Sequence, residues 1–290
     1  MDSFLTLLLH QIQRDERRPP PTWTHHSRIP AARWKWLRNE CQTPSDFDAL
    51  QLRQQLLRSP TAVPHYATCA YGAVTVVAEP PLSPMEDIPW NLWGRILRLF
   101  HGTHRTPFSI YFLASPSLRT FPASSREPIR PQHINGGYTY PCRPDTIVIY
   151  RAEDATRVLL HELQHASCLD KQEKGIDHVE AETEAWAELL YTAFLSRGHP
   201  ARWRMLWARQ WAWLTAQNRK VSQHLRASSS DNPPYPFPWR YTLGKEDVLR
   251  RWGLMAVPST SRPTASLRLT PPPLPEQQRE QGVRLSSVVL

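Results

Sequence analysis

The sequence predicts an α+β fold, a small mixed sheet followed by a run of helices. Three observations carry this reading. Short stretches rich in β-branched and aromatic residues fall before residue 150, while patterns with helical period dominate after it. The chain has 290 residues and 40% apolar content, enough for a substantial core.

Taken in order, residues 4–18 read as a helix that Pro19-Pro20-Pro21 breaks off. Trp34 to Leu57 holds one or two helices around a turn at Thr43-Pro44-Ser45-Asp46, with Ser45 or Asp46 as cap of the second. Tyr66 to Ala78 reads as strand with Gly72 as a bulge, Asp87 to Phe100 as helix, and Phe108 to Leu113 as strand. Arg119 to Gln132 is a proline-punctuated loop. Asn135-Gly136-Gly137-Tyr138 reads as an edge strand, because two glycines let another backbone come close. Asp145 to Tyr150 is β-branched and reads as strand.

A helical pattern then opens at Glu153-Asp154, with Val158, Leu159, Leu160, Leu163 and Ala166 on its apolar side; acids at that end suit the helix dipole. Asp177 to Tyr191 forms the next helix. Trp203, Leu206, Trp207, Trp211 and Leu214 recur at i, +3, +4, +8 and +11, the buried stripe of a long helix from about residue 200 to 225. Core packing explains these tryptophans better than stacking on nucleic acid. Ser228 to Pro238 is a polar link, and order returns with a helix from about Lys245. From Pro258 to Leu290 the composition is that of a disordered tail.

The helix after the Asp145–Tyr150 strand carries His161-Glu162-Leu163-Gln164-His165, the pattern HExxH. Histidines at i and i+4 project from one helical face and can share a metal ion. Glu162 stands beside them, placed to take a proton from a metal-activated water. A third ligand is needed, and Glu180, Glu184 and Glu188 form an acidic stripe at i, i+4 and i+8 in the following helix. Like charges at that spacing repel, and a divalent cation relieves them.

HExxH, then eighteen residues, then Glu184 within Glu-Ala-Trp-Ala-Glu resembles the gluzincin zinc metallopeptidases over residues 159–188. The resemblance implies a zincin-like fold with an HExxH active-site helix. It implies Zn²⁺ held by His161, His165 and Glu184, with Glu162 as general base and Glu188 buttressing a ligand histidine. Glu180 is the rival third ligand. The order Ile134-Asn135-Gly136-Gly137-Tyr138-Thr139, strand, HExxH helix and Thr-Glu-Ala-Trp-Ala-Glu is also similar to predicted metallopeptidases of large eukaryotic DNA viruses. The implied activity is hydrolysis of peptide bonds in a protein or peptide substrate. A metzincin instead requires Gly and then His or Asp where this chain has Cys168 and Lys171; Asp170 lies one place off. For the oxyanion-stabilising group the candidates are His178, His224, Tyr235 and Tyr241. The alternative readings are a non-catalytic zinc-binding protein and a basic nucleic-acid-associated protein. The expected organisation is a helical N-terminal region (1–64), a catalytic domain (65–256) and the tail (257–290).

Cys41, Cys69, Cys142 and Cys168 are too scattered for a disulfide scaffold, so reducing surroundings are the simplest expectation. No stretch reaches the roughly 20 apolar residues of a membrane span, and the apolar N-terminus lacks the basic start of a signal peptide. An intracellular, cytoplasmic location is expected. The net charge of +9 favours weak contact with acidic partners through a basic surface.

Overall fold

The computed structural model describes residues 2–104, 106–170, 172–228, 236–256 and 264–273. In chain order its elements are α1 (Asp2–Glu16), β1 (Thr24–His26), α2 (Ala31–Gln42), α3 (Leu52–Arg58), β2 (Val63–Cys69), β3 (Gly72–Ala78), α4 (Trp90–His104), β4 (Phe108–Ala114), α5 (Pro131–Ile134), β5 (Gly137–Tyr138), β6 (Ile147–Ile149), α6 (Ala155–Ala166), α7 (Ile176–Leu195), α8 (Pro200–Ala227) and α9 (Leu243–Arg251). The fold is mixed α+β with a six-stranded mixed sheet and, among the described residues, nine α-helices. No helix among the described residues is long and apolar enough to cross a membrane.

The chain forms two compact units that interleave in sequence. Among the described residues, one comprises 19–117, 136–168 and 272–273; the other comprises 2–18, 118–135 and 169–271.

The first unit is built on the sheet, in the order β1-β2-β3-β4-β6-β5. Tyr66 to Ala78 is not one bulged strand but the antiparallel hairpin β2–β3, turning at Ala70-Tyr71 with Cys69 opposite Gly72. Gly72 serves close approach rather than a bulge, since a Cβ there would lie 2.8 Å from the Phe108 carbonyl oxygen. β3 and β4 run parallel, which demands a crossover, and α4 supplies it. Both strands are buried nearly throughout, with Val74, Val76, Val77, Ile110, Phe112 and Leu113 in the core, as expected of strands covered on both faces. On one face Val77, Tyr111 and Leu113 pack with Leu37 and Cys41 of α2 and Leu52 and Leu56 of α3. Phe112 points the other way by strand alternation, and Trp93 of α4 meets it at 5.4 Å between ring centroids. The Trp93 indole N–H also donates to Thr156 Oγ1 of α6 at 2.9 Å, tying the two helices.

The cap of α3 is neither Ser45 nor Asp46. Asp48 accepts from the Leu52 and Arg53 amides at 2.9 and 3.0 Å, so its carboxylate fills the role three positions further on. Ser45 instead accepts from Phe47 N in a short 3-10 turn.

The second unit is helical. The stripe Trp203, Leu206, Trp207, Trp211 and Leu214 of α8 is buried as expected. α7 ends at Leu195, and in the turn that follows Gly198 has a φ of +73° and no room for a side chain, because a Cβ would sit 2.3 Å from the Leu9 carbonyl oxygen of α1. The expected disordered tail is interrupted by an ordered stretch. Ser266 bridges Thr120, Leu267 N donates to Arg119 O at 2.9 Å, and Leu267 and Leu269 are buried with Ile129, Ile134 and Val221. Burying two leucines offsets the polar composition that argued for disorder. The remainder of that expected tail, 257–263 and 274–290, lies outside the described residues.

Candidate metal centre

Helix α6 begins at Ala155, one residue later than the acids that were expected to open it. Asp154 sits at the N-cap with a left-handed φ of 59°, and the first turn holds no acidic residue. Asp154 O accepts from Val158 N at 2.9 Å, a backbone bond that opens the helix. From Arg157 to Ala166 every residue of α6 is buried.

The i,i+4 spacing brings the two histidines together as the sequence requires. His161 Nε2 and His165 Nε2 are 3.0 Å apart, with ring centroids at 4.8 Å and planes inclined by 71°. Two imidazole nitrogens on one tetrahedral zinc, each at about 2.0–2.1 Å, stand about 3.3 Å apart. The pair therefore needs only a slight opening to accept the ion. The same spacing also suits a proton shared between neutral rings, one nitrogen donating and the other accepting. Glu162, buried at 5% exposure, follows His161 directly on this helix.

The edge strand lies against the same helix. β5 is the outer strand of the sheet, antiparallel to β6, with Gly137 opposite Ile149 and Tyr138 opposite Val148. A Cβ on Gly137 would lie 2.6 Å from Val158 Cγ1, 2.9 Å from Val148 O and 3.3 Å from Glu162 Oε1. Glycine is thus what lets the strand settle beside the Glu162 carboxylate. Tyr138 anchors the strand from behind. Its hydroxyl donates to Glu40 Oε1 at 2.6 Å and accepts from Arg53 Nη1, while Arg53 Nε pairs with Asp48 Oδ2 at 3.0 Å. Burial, together with its hydrogen bond to Glu40, pushes the Tyr138 phenol well above its ordinary value.

Cys142 and Cys168 form a disulfide, with Cα atoms 4.8 Å apart, against the expectation of reducing surroundings drawn from the scattered cysteines. The sequence gap of 26 residues hid the pairing, because the β5–β6 loop must first fold back on the end of α6. There the amides of Cys142 and Cys168 both donate to the His165 carbonyl, at 2.9 and 3.1 Å. Both cysteines are solvent-exposed, and both have a left-handed φ. Cys41 and Cys69 remain free thiols.

The acidic stripe lies on α7, in the helical unit. Glu180 is partly exposed, whereas Glu184 and Glu188 are 3% and 0% exposed. Lys245 Nζ, fully buried, lies 2.7 Å from Glu188 Oε2 and 3.9 Å from Glu184 Oε2. Gln210 Nε2 donates to Glu188 Oε1 and to Leu269 O. Sequence reasoning passed over Lys245 and Gln210, yet each left a trace. Gln210 interrupts the apolar stripe of α8 seven residues after Trp203, and Lys245 precedes Val248 and Leu249 at +3 and +4.

Three of the oxyanion candidates can be placed. His178 stands edge-on to Trp239 at 5.7 Å, Tyr241 packs on the Ile129 cluster, and His224 Nε2 is 2.6 Å from Glu127 O. Tyr235 lies outside the described residues. Comparison with known proteins finds no matching family model, no matching curated protein and no matching solved structure.

Proposed function

We propose that the protein is a zinc-dependent peptidase of the gluzincin kind with a zincin-like catalytic unit. One observation carries the reading: two buried, facing imidazoles on α6 share a face of the helix whose Glu162 meets a glycine-bearing edge strand. His161 and His165 would hold the ion, and the resemblance calls for a glutamate as third ligand. The resemblance assigns that role to Glu184, with Glu180 one turn earlier as its rival.

Zinc in such a site supplies Lewis acidity and lowers the pKa of water to near neutrality. Glu162 takes the proton from the attacking water and delivers it to the leaving amine. The outer edge of β5 offers backbone groups for pairing with an extended peptide, and the missing side chain at Gly137 lets that strand pack directly against the base.

The test pairs metal analysis with peptide hydrolysis. Purified protein is expected to hold one zinc that His161→Ala and His165→Ala lose. Glu162→Gln should retain zinc while hydrolysis falls by roughly 10²-fold or more. Unchanged hydrolysis by Glu162→Gln, or no stoichiometric zinc in the native chain, rejects the reading.

A further inference from the structure

A second imidazole pair lies at the opposite edge of the sheet from β5. His25 of β1 and His65 of β2 are diagonal neighbours across antiparallel strands, since His25 stands opposite Ala67. His25 Nδ1 and His65 Nε2 are 2.9 Å apart, nearly the spacing of the α6 pair. The rings are inclined by only 37° and both rest on Trp90, at 5.2 Å from His25 and 5.9 Å from His65.

We infer that His25 and His65 form a separate, solvent-open site for a borderline divalent transition ion such as zinc, nickel or copper. Two neutral imidazoles select these ions over magnesium or calcium, which require oxygen ligands. Facing nitrogens within hydrogen-bond distance share one proton. Ligation moves that proton to the far nitrogen of the same ring, with no net proton released.

Several contacts preorganise the pair. The Trp90 indole N–H donates to Pro84 O at 3.1 Å, and Trp23 Nε1 donates to Trp90 O at 2.8 Å, fixing the platform beneath the rings. His26 Nε2 is instead paired with Thr68 Oγ1 at 2.8 Å, which leaves two protein ligands and coordination positions for solvent. β1 is only three residues long and wholly exposed, so a bridging ion would staple it to β2.

The site is tested by zinc titration of the full chain, with calorimetric stoichiometry and histidine side-chain NMR as readouts. Wild type is expected to take up one more equivalent than His25→Ala or His65→Ala, and zinc should shift the resonances of both rings. Zinc should also raise the thermal midpoint of wild type more than that of His25→Ala, by linkage. Magnesium should do neither. Equal stoichiometry in wild type and both variants, unmoved His25 and His65 resonances, or an equal response to magnesium overturns the inference. The comparison is independent of α6: if His161 and His165 bind nothing, the difference of one equivalent between wild type and His25→Ala remains.

Discussion

Gly137 and Lys245 show how single side chains, absent or present, set this protein's chemistry. A methyl group at residue 137 would meet Val158, Val148 and the Glu162 carboxylate together. Gly137→Ala is therefore expected to cost about 1–3 kcal/mol, the usual range for overpacking, measured by chemical denaturation. The proposed hydrolysis should fall further than stability alone accounts for, because the strand moves off Glu162. Lys245 sits between two buried glutamates. Lys245→Met removes the cation and should destabilise by about 3–5 kcal/mol; a change within experimental error would mean the carboxylates do not depend on it. Cys41 gives a pH signature. Burial pushes its thiol from 9.0 to about 12, so over that window the unfolded chain loses a proton that the folded chain keeps. Stability should fall there by up to about 1.4 kcal/mol per pH unit, and Cys41→Ala should flatten this alkaline limb in thermal melts.

Among the elements, α6 was the most legible in the sequence and its surroundings the least. The pattern Val158, Leu159, Leu160, Leu163 with His161 and His165 fixed both the helix and the facing imidazoles, because i,i+4 geometry is local. The edge strand was readable for a similar reason, as two adjacent glycines between strand-like residues have few other uses. The hairpin at Ala70-Tyr71 was not, since neither residue is a usual turn former and the apolar run continues through it. Gln210 and Lys245 as partners of Glu188, and the Cys142–Cys168 bond, depend on tertiary contacts, of which the sequence shows at most a polar residue interrupting an apolar pattern. On α7 the two rival ligands separate by experiment. Whichever of Glu180→Gln and Glu184→Gln abolishes zinc retention marks the ligand, and retention by both removes α7 from the site.

At the scale of the whole molecule, the interleaving of two units means that distant stretches of chain must meet before either unit closes. Residues 264–273 return to Arg119 and Thr120, and Cys168 returns to Cys142. The bridge closes a loop of a length worth about 3 kcal/mol in the chain-entropy view, so Cys142→Ser with Cys168→Ser should lower the thermal midpoint measurably. Its placement has a second effect. His165 faces His161 through its ring, and through its carbonyl it receives the amides of both bridged cysteines. The oxidation state of two surface sulfurs thereby becomes a handle on the aim of one imidazole. Protein prepared with a dithiol reductant is expected to retain less zinc in native mass spectrometry than the same protein prepared without it, and equal retention would uncouple the sulfurs from the ring.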